Sequence, residues 1–152
     1  MVQDIRILLT TKQPNIKWNI IIIENGIRIG KTVGNIHTTY LVDASGTIQA
    51  LEQGAYKLIF SYDSTGRREG FSFYYADTFV GHFYYLYNAQ GDVTNILNAQ
   101  MQVVVAYEYD SWGKLLSCEG NAAEELGVLN PFRYRGYVYD EETDFYYLNS
   151  RY

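Results

Sequence analysis

The sequence predicts an all-β fold, a curved sheet built from antiparallel β-hairpin repeats, on three observations. A tyrosine followed at short distance by Asp or Asn and then by Gly recurs along the chain: Tyr40 with Asp43 and Gly46, Tyr62 with Asp63 and Gly66, Tyr87 with Asn88 and Gly91, and Tyr109 with Asp110 and Gly113. A further tyrosine-aspartate pair stands at Tyr139 and Asp140. The copies are roughly 20 residues apart, the spacing of a repeated supersecondary unit. Between them, apolar residues alternate with period two, as in half-buried strands. Proline is scarce, 2 in 152 residues, and aromatic residues reach 16%, which suits packed strands and not a linker.

Each repeat reads as strand, tight turn, strand. Asp or Asn at the first turn position accepts hydrogen bonds from the backbone that follows, and Gly three residues on takes the left-handed conformation that closes a bulged hairpin. Taken in order, the first hairpin is signalled by Asn25-Gly26 between the apolar residues 20–23 and 27–29. Further on, Tyr56, Leu58, Phe60 and Tyr62 share one face while Lys57, Ile59 and Ser61 share the other. Val103, Val105, Tyr107 and Tyr109 likewise oppose Val104, Ala106 and Glu108. Neither face is wholly polar, so strands are expected to be covered on both sides or to carry tyrosines at a wet surface. Asn98 starts another copy of the turn, with Met101 in the glycine position. One short connecting helix is expected near 122–126, with Asn121 as cap, Glu124 as its capping-box partner and Gly127 as the stop. Asn130-Pro131 then opens an extended segment over 132–139.

Length and charge narrow the function classes. At 152 residues the chain is about one domain. Lys and Arg number 12 against 17 Asp and Glu, and the net charge of −5 repels phosphate overall, so nucleic acid is not an expected partner. The longest aliphatic run, residues 20–23, falls far short of the roughly 18 residues of a membrane span. Asp4 stands where a secretory signal would be basic, so no signal peptide is expected. Cys118 is the one cysteine and cannot form an internal disulfide.

Three stretches carry a family resemblance: residues 84–93 (YYLYNAQGDV), residues 107–115 (YEYDSWGKL), and residues 130–140 (NPFRYRGYVYD) with 145–152 (FYYLNSRY). They resemble the core of Rhs/YD-repeat proteins, the last pair being similar to that family's repeat-associated core signature. The resemblance spans 25–152 and leaves residues 1–24 as an unmatched leading segment. It implies a spiral of hairpins closing into a hollow shell, which in longer relatives encloses a C-terminal toxin; teneurins and insecticidal toxin-complex shells are related uses. The partners so implied are the remaining shell and the toxin, and the implied location is secreted or at the cell surface. It also implies structural roles for Trp112, Pro131, Phe132, Tyr134, Gly136, Tyr137, Tyr146, Tyr147 and Arg151. Of these, Trp112, Phe132, Tyr134 and Tyr137 are expected to form the packing nucleus near the end of the spiral.

Two departures from the family pattern bear on function. Similar bacterial proteins continue into Asp-Pro motifs that support self-cleavage, whereas the prolines here follow Gln13 and Asn130. The module is therefore expected to stop before the self-cleavage and toxin regions. Asp144 and Met101 also stand where the pattern has glycine. A left-handed backbone costs about 1–2 kcal/mol at a non-glycine residue, so both turns are expected to be looser or reshaped.

Reactive side chains are few. His37 and His82 lie apart with no metal-ligand spacing, and neither metal nor cofactor is expected. Glu119 beside Cys118 should raise the thiol pKa and leave it inert. Asp140, Glu141, Glu142 and Asp144 lack EF-hand spacing and read as a solvated turn. Arg67, Arg68, Arg133, Arg135 and Arg151 read as cation–π or ion-pair partners, with anion contact as the alternative. Tyrosine rows stabilise sheets through cross-strand pairs, but they can also stack on sugars. The alternative to a shell module is thus a glycan- or protein-binding module, favoured if a tyrosine cleft lies on the outer face. No enzyme is expected. Residues 20–23 and 145–148 are apolar and β-prone, and are expected to form exposed sheet edges that drive self-association.

Overall fold

The computed structural model describes residues 2–5, 18–23, 26–141 and 143–147. Eleven strands form one antiparallel meander in sequence order. They are β1 (Val2–Ile5), β2 (Trp18–Ile23), β3 (Arg28–Val33), β4 (Ile36–Val42), β5 (Ile48–Gln53), β6 (Tyr56–Tyr62), β7 (Arg68–Tyr75), β8 (Thr78–Tyr87), β9 (Val93–Leu97), β10 (Val103–Tyr109) and β11 (Leu115–Glu119). A closing segment follows, made of α1 (Leu126–Leu129), a 3-10 turn (Tyr134–Gly136), and a hairpin of β12 (Val138–Asp140) and β13 (Phe145–Tyr147).

Over most of the sheet the two ends use different turns, the Asn98 turn between β9 and β10 being the exception. β3–β4, β5–β6 and β7–β8 are joined by two-residue turns, closed by the pairs Val33 with Ile36, Gln53 with Tyr56 and Tyr75 with Thr78. Such turns need left-handed backbone, which Ala76 and Asp77 adopt at φ 48 and 64. At the opposite end the longer Asp/Asn turns close with a bulge, and the register slips between Ser61 and Tyr62, between Leu86 and Tyr87, and between Glu108 and Tyr109. One motif therefore marks every second connection along most of the sheet.

The core lies on one face. Leu58, Phe60, Phe71, Val93, Val105 and Tyr107 from the strands are buried against Leu126, Leu129, Phe132, Val138 and Tyr147 of the closing segment. The Phe60 and Phe132 rings meet edge-on at 4.9 Å. The other face leaves Leu41, Ile59, Leu86 and Leu116 exposed.

Four expectations need correction. The helix occupies Leu126–Leu129 and not 122–126, and Glu125 at its start makes no side-chain cap. Gly127 is inside it, where a Cβ would stand 2.7 Å from Cys118 Sγ; a left-handed glycine, Gly120 at φ 120, stands before the helix instead. Trp112 is 90% exposed, since it occupies the tip of a turn, and Tyr137 is also exposed. The Met101 turn keeps the geometry of its glycine counterparts: Met101 at φ 62 donates its amide to the Asn98 carbonyl at 3.0 Å, and Asn98 donates to Gln102 at 2.9 Å. Finally, residues 20–23 are no sheet edge, because β2 pairs with both β1 and β3; β13 pairs only with β12 among the described residues and so keeps an open edge, with Phe145 exposed and Tyr147 buried. The outermost strands of the sheet are β1 and β11.

Candidate functional site

The repeated turns are the feature the sequence singles out, and their geometry is uniform. One side-chain oxygen accepts the amides two and four residues on: Asp43 from Ser45 (2.9 Å) and Thr47 (3.0 Å), Asp63 from Thr65 (2.8 Å) and Arg67 (2.9 Å), Asn88 from Gln90 and Asp92 (both 3.0 Å), and Asp110 from Trp112 (2.8 Å) and Lys114 (2.9 Å). The Ser45 hydroxyl and then the Thr47 amide hold the Asp43 carboxyl below its usual pKa, and the Thr65 hydroxyl and Arg67 amide do so for Asp63. Gly46, Gly66, Gly91 and Gly113 take φ of 87, 84, 86 and 90, where a side chain would be strained. At Gly113 a Cβ would also strike the Tyr134 ring at 2.6 Å.

The tyrosine has a separate task. Tyr87 donates its hydroxyl to the Arg68 carbonyl at 2.7 Å, Tyr109 donates to Val93 at 2.6 Å, and Tyr62 donates to Ile48. Ile48, Arg68 and Val93 stand at the same offset from Asp43, Asp63 and Asn88. Each Asp or Asn thus shapes its own turn, while Tyr62, Tyr87 and Tyr109 tie the turns at Asp63, Asn88 and Asp110 to the preceding hairpin. Burial pushes the Tyr87 and Tyr109 hydroxyls above their usual pKa. The closing hairpin continues the pattern: Tyr146 donates to the Gly113 carbonyl at 2.8 Å and Tyr147 to that of Gly26 at 3.1 Å.

Tyr139 and Asp140 depart from it. Asp140 is fully buried and its carboxylate receives both Nη atoms of Arg28, at 2.8 and 2.7 Å, and Lys31 Nζ at 3.1 Å. Burial alone would raise this carboxyl, but the Arg28 hydrogen bonds and charge, with Lys31, hold it below the ordinary range. The acidic stretch does form a turn, with Asp144 exposed and Glu141 half-buried, but Asp140 is not solvated, because it joins β12 to β3. Glu141 pairs with buried Arg133 at 2.7 Å, Asp144 accepts the Tyr139 hydroxyl, and Glu142 lies outside the described residues.

The remaining signature residues support the closing segment. Asn130 is buried, accepts the Tyr85 hydroxyl at 2.7 Å and donates to the Phe132 carbonyl at 2.7 Å. Pro131 and Phe132 are buried beside it, Tyr134 is half-buried, and Gly136 is left-handed at φ 68. Arg133 donates to the Gly127 carbonyl at 2.8 Å and stands 4.6 Å from the Tyr139 ring centroid. Arg67 lies over Tyr87, Arg68 over Phe132 and Arg135 over Tyr134. Arg151 lies outside the described residues.

Sequence reasoning missed Arg28, Lys31 and the bonding of Asn130. For Arg28 a signal existed: it takes an inward position of an alternating strand, where a charge needs a buried partner. Burial raises the Cys118 thiol, and Glu141, not Glu119, adds to that shift against the opposing charge of Arg133. His37 and His82 are exposed and bond to Thr32 and Ser72 hydroxyls. Among the described residues no group of three His, Cys, Asp or Glu is placed to hold a metal ion. No helix among them is long and apolar enough to cross a membrane.

Known proteins resemble this arrangement. No family model matches the sequence. The chain is 36% identical over 132 residues to tRNA nuclease WapA of Bacillus subtilis (strain 168), and equally to the tRNA3(Ser)-specific nuclease WapA of Bacillus spizizenii. Each match covers 85% of this chain, which spans about 5% of the length of these relatives. Among solved structures, the pore of the Photorhabdus luminescens Tc holotoxin superposes with a TM-score of 0.63 at 15% identity, covering 98% of this chain and 8% of that one. TcdB2-TccC3 without its hypervariable C-terminal region superposes at 0.56 with 14% identity, covering 100% and 6%. At such identities the likeness is one of fold.

Proposed function

The chain is an Rhs/YD-repeat module, and from that premise we propose that it is a non-catalytic wall segment of a larger secreted or cell-surface shell that encapsulates or presents a C-terminal toxin. The observation that carries this reading is the use made of the repeat tyrosines. Tyr62, Tyr87 and Tyr109 donate their hydroxyls to backbone carbonyls of the preceding hairpin. Committed in this way, they hold one hairpin to the next, and their hydroxyl protons are not available to a sugar. That favours a wall over a glycan-binding surface. Residues 25–152 form the module in this reading. In this reading the nuclease activity in the relatives' names belongs to the parts of those proteins beyond the matched stretch, this chain spanning about 5% of their length.

The test uses the gene product that carries this chain, made at its natural length. Protease digestion of the polypeptide C-terminal to residue 152 is followed in the intact product and in the same segment made alone. The expected result is cleavage at least tenfold slower in the intact product. Equal cleavage rates, or a natural product that ends at Tyr152, would overturn the proposal.

A further inference from the structure

A cleft of about 570 Å³ opens between the Asn88 turn, the arginines that follow Gly66, and the 3-10 turn at Gly136. Its lining brings Arg67, Arg68 and Arg135 together with Tyr87 and includes no carboxylate. Among the described residues none of these three guanidiniums makes an ion pair, although the chain carries a net charge of −5.

Each of the three guanidiniums lies over an aromatic ring, and Arg135, over Tyr134, is fixed through its backbone as well. The Arg67 guanidinium lies 4.3 Å from the Tyr87 ring centroid, and Tyr87 is itself fixed by its bond to the Arg68 carbonyl. Arg68 covers the Phe132 ring at 3.2 Å and donates Nε to the Tyr62 hydroxyl at 3.3 Å. Arg135 is held in a left-handed conformation, φ 52, while its amide donates to the buried Asp92 carboxylate at 2.8 Å. The acid nearest the cleft is Asp92, whose two carboxylate oxygens are taken by the Arg135 amide and the Asn88 side chain, while Asp63 and Glu69 line an adjoining concavity that shares Arg67 and Arg68. One Asp63 oxygen is occupied by the amides of its own turn.

Three like charges converging on one cleft repel each other, and a multivalent anion relieves that repulsion. A guanidinium stacked on a ring keeps its N–H edge available, and that edge matches an oxyanion in a bidentate fork. Three such forks offer more donors than the two oxygens of a carboxylate can use, whereas a phosphate group presents three acceptor oxygens and close to two charges. Outside these three arginines, nine of the 12 Lys and Arg stand against 17 Asp and Glu, and a net acidic surround suits a single phosphate group over an extended polyanion. We propose that this cleft is a phosphate-binding site, with Arg67 and Arg135 as contact residues and Arg68 at its base.

Calorimetric titration of the chain with inorganic phosphate, adenosine 5′-monophosphate and adenosine tests this. Phosphate and the monophosphate are expected to bind and adenosine is not. Tighter binding of the monophosphate would identify a phosphate ester as the source and equal binding free phosphate, and either supports the site. Arg67→Gln and Arg135→Asn, the latter a residue that tolerates left-handed backbone, should each weaken phosphate binding at least fivefold. Lys57→Gln, a cation outside the cleft, should leave it unchanged. Should an arginine variant fail to fold, amide shifts of wild-type residues 88–91 on phosphate addition give the same answer. No binding at about 10 mM phosphate, equal weakening by Lys57→Gln, or shifts confined to other residues would overturn the proposal.

Discussion

Asp140 and Arg28, 112 residues apart in sequence, form a buried bidentate ion pair at 2.7 and 2.8 Å. The pair joins the closing hairpin to a strand near the start of the sheet, and Lys31 reinforces it from the same strand. Removing one member of a buried pair leaves the other charge uncompensated, at a cost of about 3–5 kcal/mol. Asp140→Asn is therefore expected to lower the unfolding free energy by that amount in urea denaturation. A loss below about 1 kcal/mol, the range of exposed pairs, would show that the pair is not buried in solution.

The same carboxylate sets an acid limit. Its folded-state pKa lies below the unfolded value of about 3.9, so its contribution is present above about pH 4 and is lost as pH falls through the folded value. The urea midpoint of the native chain should fall below about pH 4, and that of Asp140→Asn should fall less steeply.

An alkaline limit follows from the buried tyrosines. Burial pushes Tyr107 up to about 12 and raises Tyr87 and Tyr109 as well. Above the unfolded pKa of about 10 the unfolded chain releases protons that the folded chain retains, so stability declines as pH rises through the folded values. Tyrosinate absorbance between about pH 10 and 12 should therefore increase together with the loss of β-sheet circular dichroism. Titration of all tyrosines about a single midpoint near pH 10, in a chain that stays folded, would contradict the burial.

The tyrosine links can be weighed one by one. Tyr87→Phe and Tyr109→Phe each leave a backbone carbonyl without its donor, and each should cost about 1 kcal/mol in thermal or urea unfolding. Exposed Tyr137→Phe should cost nothing measurable.

Met101 is held at φ 62 in a turn otherwise built for glycine. Relief of left-handed strain, partly offset by the chain entropy of glycine, should make Met101→Gly more stable by about 0.5–1 kcal/mol. A destabilised variant would mean that the exposed Met101 side chain contributes contacts the fold does not reveal.

How much was legible in the sequence depended on how far each interaction reaches. The Asp63 turn could be read from residues 62–67 because its hydrogen bonds close between near neighbours. The Tyr62 link could not, because its acceptor is a backbone carbonyl and every residue has one. Asp140 follows a tyrosine as Asp63 does, yet it has no glycine three residues on and meets Arg28 from the far end of the sheet. Trp112 reads as core by its chemistry, but its place at the tip of the Asp110 turn points it outward. The helix lies at Leu126–Leu129, where Leu126 and Leu129 are buried in the core, and the capping residues read from the sequence make no side-chain cap at its start. The arginines were read as stacking partners without their convergence on one cleft, which depends on the closing segment folding back over β7 and β8.

The central claim is that this chain is one stretch of a continuous wall around a toxin. An electron cryo-microscopy map of the natural-length gene product tests it most directly. The account predicts that β11 continues into further hairpins by pairing along its outer edge, and that the closed wall surrounds density for the C-terminal polypeptide. A map in which β11 faces solvent and the C-terminal polypeptide lies outside any enclosure would contradict it.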